Sequence, residues 1–99
     1  MTKKELKKYA GLKFYNLSQR SGGMWATIHY LVEYEVTERG TCKCGDAIFP
    51  IIANKAQYEM LATFTGGLYH SGRPTAETLT AEFLEKVKEK ADRAAINRI

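Results

Sequence analysis

From Met24 to Val36 every second residue is apolar or aromatic: Met24, Ala26, Ile28, Tyr30, Val32, Tyr34 and Val36. A period of two places them on one face of a strand, and that face has to meet a core. The alternate positions hold Trp25, Thr27, His29, Leu31, Glu33, Glu35 and Thr37, so the second face begins semi-apolar and ends in carboxylates. Such a face is covered at one end and wet at the other. Glu38-Arg39-Gly40 suits a three-residue hairpin loop that closes through a glycine of positive φ, after which the chain returns from Thr41 to Ile52. This loop length pairs Thr37 with Thr41 and sets Cys42 opposite Val36 and Cys44 opposite Tyr34, on the buried face. A loop one residue shorter would move both cysteines to the glutamate face. Pro50 lacks a donor and directs the end of the returning strand to a sheet edge or a bulge.

Around this hairpin the pattern changes period. Thr2 with Glu5 has the form of a capping box, and Leu6, Tyr9 and Ala10 follow at helical spacing, predicting a short helix to about Ala10 that Gly11 ends. Leu12, Phe14 and Asn16 then alternate with Lys13, Tyr15 and Leu17 as a first strand, which is favoured over the alternative that Leu6, Ala10, Phe14 and Leu17 continue one helical stripe through the glycine, and 19–23 reads as the turn into the long strand. Beyond Ile52, Asn54 can cap a helix carrying Ala56, Tyr58, Leu61, Ala62 and Phe64, with Gly66 as its left-handed C′ residue. Residues 65–75 form the longest loop. A last helix starts at Thr78 or Thr80, with an apolar stripe of Leu79, Phe83, Leu84, Val87, Ala91 and Ala95. The expected fold is α+β: a short N-terminal helix, a three-stranded antiparallel meander, and two C-terminal helices packed on one sheet face.

Ninety-nine residues, 44% hydrophobic and 26% charged, suit one globular domain spanning 1–99. No apolar run approaches the ~20 residues of a membrane span, and the early lysines lead into no signal-peptide apolar core, so a cytoplasmic protein without membrane contact is expected. Six basic residues, Lys3, Lys4, Lys7, Lys8, Lys13 and Arg20, stand against Glu5 alone in the first twenty positions. The basic character of a chain with net charge +4 is therefore N-terminal. A lysine face of this kind attracts nucleic acid or an acidic protein patch, although it also serves as the solvated side of an amphipathic helix.

Three constellations could carry chemistry. Cys42-Lys43-Cys44, with His29 and His70, offers zinc-type ligands, but a single intervening residue is not the knuckle spacing of a closed zinc site, and both cysteines equally read as small core residues. No metal and no cofactor is therefore assigned. The glycine-rich stretches 20–23 and 65–73 can turn backbone N–H groups toward an anion, with Arg20 or Arg73 to bind a phosphate and Tyr69 to stack on a base, although no phosphate-loop or dinucleotide spacing is present. The plain alternative is a helix cap at Gly66 and a turn at Gly72-Arg73-Pro74. Lys4, Lys8, Arg20, Tyr69, His70 and Arg73 are thus the candidate ligand or nucleic-acid contacts. The order helix, three strands, helix is similar to that of double-stranded-RNA-binding domains in topology alone, without that family's Gly-Pro-x-His loop or its lysine-rich second helix start.

A Cys–His nucleophile pair lacks the exposed, electropositive setting that makes a thiolate, and no paired-carboxylate pattern stands out, so the chain does not read as an enzyme. The leading expectation is a small intracellular binding protein, an inhibitor or adaptor of the kind phages encode against host enzymes. It would engage a larger protein through Trp25 and Leu31 on the second strand face. The alternative is a module for a nucleotide, a phosphate ligand or a nucleic acid. An edge strand near Pro50 leaves homodimerisation open.

Overall fold

The computed structural model describes residues 1–21, 27–47, 52 and 54–97. Strand β1 (Lys13–Ser21) pairs antiparallel with β2 (Thr27–Val36) in an unbroken register, Phe14 opposite Tyr34 and Leu17 opposite Leu31. Gln19–Ser21, expected in a turn, instead continue this ladder opposite Thr27–His29, because pairing satisfies backbone groups that a turn would leave to solvent. The hairpin follows the expected register: Thr37 N–H donates to Thr41 O at 2.8 Å, Gly40 has φ +73°, and in β3 (Cys42–Ala47) Cys42 faces Val36 and Cys44 faces Tyr34. A bulge follows, since β3 advances from Cys44 to Ala47 while β2 retreats only from Tyr34 to Val32. Ile52 closes a bridge to His29. Pro50, Trp25, Met24 and Ala26 lie outside the described residues.

The sheet has a fourth strand that the alternation pattern did not signal. β4 (Tyr69–Ser71) pairs parallel with β1, giving the order β3-β2-β1-β4. Three residues are too few for a period to show. Asn16 holds this strand: it is 3% exposed, and its Nδ2 donates to the carbonyl oxygens of His70, at 3.0 Å, and Gly72.

Helices cover both sheet faces rather than one. α1 (Lys3–Leu6), capped as expected by Thr2 and continued by a 3-10 turn at Lys7–Tyr9, lies on the same face as α3 (Ala81–Asn97), which Thr80 caps. There Leu6, Phe14, Val36, Leu79, Leu84 and Val87 form the main core, and Tyr9 Oη donates to Glu85 at 2.7 Å. α2 (Lys55–Phe64), capped by Asn54, lies on the opposite face, where Tyr58 and Ala62 pack on Leu31. Both faces need cover because β2 carries apolar residues on each: Val32 and Val36 on one, Leu31 on the other. Each cluster is small, and the two share only the sheet.

α2 ends in a Schellman motif, with Gly66 (φ +76°) donating to Thr63 O and Gly67 to Ala62 O. Gly67 also lies where an added Cβ would overlap the Tyr15 ring, so the chain can pass from α2 to β4 only with a glycine there.

Candidate functional site

The β2–β3 hairpin, the start of α1 and the turn after β4 enclose a groove of about 480 Å³. Lys3, Tyr34, Cys42, Cys44, Arg73 and Glu77 line it. Each comes from a different local rule. Lys3 is the first residue of α1, and the buried Gly40 at the hairpin tip packs directly on its backbone. The cysteines point into the groove because the three-residue loop sets their register.

Arg73 follows Gly72, whose φ of +96° turns the chain away from β4. Its carbonyl accepts from the Thr78 hydroxyl, which in turn accepts from the Thr75 N–H at 2.8 Å. The arginine backbone is thereby held from both sides, while its side chain stays exposed.

Lys3 and Arg73 put two positive charges on the walls, and Glu77 adds one carboxylate. Hydrogen bonds from the Glu77 N–H and the Thr75 hydroxyl hold this carboxyl below its usual range. On the floor, burial pushes the Cys42 thiol up, the reverse of what a nucleophile needs. Burial, and then the hydrogen bond with Cys44, raise the Tyr34 phenol. The groove is cationic at its mouth and protonated at its base, an arrangement suited to holding an anion.

The expected ligand residues divide. Lys4 and Lys8 are exposed on α1 and the turn after it, with no ion pair among the described residues, and are not among the residues that line the groove. By contrast Lys13, Lys55, Lys86 and Arg93 have carboxylate partners: Glu33, Glu59, Glu82 and Glu89. Arg20 is six residues along β1 from Phe14, the cross-strand partner of the groove residue Tyr34, and so lies roughly 20 Å along the strand from it. Tyr69 faces the other side of the sheet, donates to Glu59 at 2.9 Å and packs 5.2 Å from the Tyr58 ring. His70 sits under α3, 5.4 Å from the Phe83 ring, with Nε2 donating to Thr78 O at 3.2 Å. Residues 65–75 are therefore not one ligand loop. Of the six candidate ligand residues, Arg73 is the one that lines the groove.

Leu31 is corrected from a partner anchor to a core residue: it is 0% exposed, beneath Tyr58 and Ala62. Trp25, its expected companion, lies outside the described residues. Phe64 is corrected in the other direction. Expected in the α2 core stripe, it is 87% exposed, and Met60 one turn earlier is 67% exposed, because the Tyr58–Ala62 pair takes the inward face. The zinc grouping also comes apart. His29 is on the sheet face opposite the cysteines, and His70 is on β4, two strands beyond β2. Among the described residues no three His, Cys, Asp or Glu side chains gather. No helix among them is long and apolar enough to cross a membrane.

A residue-level reading missed the union of Lys3 with Arg73, which are seventy positions apart. No protein-family model, curated protein or solved structure matches this chain.

Proposed function

We propose that the chain is a non-catalytic binding protein that holds nucleic-acid phosphates in the groove between α1 and the turn after β4. The observation that supports this most is that Lys3 of α1 and Arg73 of the 65–75 segment, separate in sequence, line one cavity. Lys4 and Lys8 would carry the backbone of the nucleic acid onward from Lys3. Ammonium and guanidinium groups suit phosphate oxygens, and a protonated floor adds no competing negative charge. Two free thiols fit a reducing, cytoplasmic setting.

Fluorescence anisotropy with labelled single-stranded RNA and DNA 20-mers between 50 and 300 mM salt tests this. Four phosphate contacts, from Lys3, Lys4, Lys8 and Arg73, imply a log-log salt slope of roughly −3, and Arg73→Ala should flatten it by about one. Absence of binding at 50 mM salt, or binding indifferent to salt, would count against the reading.

A second reading, an inhibitor or adaptor for a larger protein, is favoured by Met60 and Phe64. Their side chains are adjacent on the outer face of α2, and solvent-exposed apolar pairs of this kind serve as partner anchors. Binding through them would change little with salt.

A further inference from the structure

We propose that Cys42 and Cys44 form a two-thiolate site for a soft monovalent metal ion, Cu(I) being the ion their chemistry suits. Both thiols leave the same face of β3, both line the same groove, and Cys44 is exposed. β3 is the outer strand of the sheet, so an ion reaches the pair without any rearrangement of the core. Alternate residues of a strand have Cα atoms about 6.6 Å apart, near the limit for a disulfide. An ion seated between the two sulfurs spans that distance where a direct S–S bond strains to.

The ligand set selects the ion. Zinc asks for four donors, or three and a water, and no third or fourth protein donor is at hand among the described residues. Thiolates without imidazole or carboxylate select soft ions, of which Cu(I) accepts two ligands. Binding replaces two thiol protons: one Cu(I) and two thiols give a bis-thiolate complex of net charge −1 and two released protons. Lys3 and Arg73, against Glu77, leave the walls at net +1, which offsets that charge. The Tyr34 hydroxyl, already hydrogen-bonded with Cys44, remains a donor to the thiolate sulfur. The proposal stands on the thiols and does not depend on the phosphate reading.

The test is an anaerobic, reducing titration of the full chain with Cu(I) in competition with bicinchoninate, read by the chelator's absorbance. One ion per chain is expected, with apparent affinity rising by up to about 100-fold per pH unit below the thiol pKa, because two protons leave. Cys44→Ser and Cys42→Ser should each abolish binding. Circular dichroism checks the fold, and the exposed Cys44 provides a variant that does not disturb the core. Arg73→Ala should weaken binding severalfold at unchanged stoichiometry. Retention of all copper by the chelator, one ion shared by two chains, or wild-type binding by the double serine variant would each overturn the proposal.

Discussion

Asn16 Nδ2 donates to the His70 carbonyl oxygen at 3.0 Å across the β1–β4 seam, and the same amide nitrogen reaches Gly72 O. One buried amide thus satisfies two carbonyls at the end of a three-residue parallel strand, while its own oxygen accepts from Ser18 Oγ at 3.0 Å. Removal of it leaves two acceptors without their donor. Asn16→Ala should destabilise by about 1–3 kcal/mol in urea melts and speed amide exchange at Tyr69–Ser71. Asn16→Asp should be worse at neutral pH, because an ionised carboxylate has no proton to offer the two carbonyls. Either change also loosens Arg73 and should weaken groove binding.

Gly67 and Gly66 should separate two kinds of glycine requirement. Gly66→Ala places a side chain in open space but at φ +76°, a strain of roughly 1 kcal/mol. Gly67→Ala drives a methyl into the Tyr15 ring, so the thermal midpoint should fall further than for Gly66→Ala. Equal shifts would mean that the α2–β4 passage relaxes at no cost.

Tyr58 governs the alkaline limit. It is 0% exposed, its hydroxyl has no partner among the described residues, and burial together with Tyr69 and Glu59 raises its pKa strongly. The folded state therefore keeps the proton more tightly than the unfolded chain, where tyrosine titrates near 10 and cysteine near about 8.5. Stability from raised groups is complete below those unfolded values and is lost as pH climbs through them toward the folded ones. Cys42 is raised in the same sense, so urea midpoints should begin to fall above about pH 8.5 and drop more steeply above about 10. Tyr58→Phe should blunt the upper part of that fall. At pH 7 it should be neutral or stabilising by up to about 1 kcal/mol, since no hydrogen bond is lost.

Met60 and Phe64 should be dispensable for folding. Phe64→Ser and Met60→Ser should each change stability by no more than about 0.5 kcal/mol, as exposed positions do. Leu31→Ala, a core truncation, should cost about 2–5 kcal/mol. A captured protein partner lost with Phe64→Ser, but kept with Arg73→Ala, would favour the adaptor reading over the phosphate one.

The central hairpin was legible in the chain because its rules are local. A two-residue period marks β2, one glycine of positive φ sets the loop, and that loop alone decides that Cys42 and Cys44 face with Val36 and Tyr34. The caps at Thr2 and Asn54 and the left-handed Gly66 were legible for the same reason: each concerns a side chain and backbone groups within a few residues. β4, the placement of α2 apart from α1 and α3, and the exposure of Phe64 were not, because these depend on which apolar faces meet. A period states that a face must be covered and does not state by what. The groove belongs to this second kind. Lys3 and Arg73 come to line one groove only once Gly40 packs on α1 and Asn16 ties β4 to β1, contacts between residues far apart in sequence that no local pattern records.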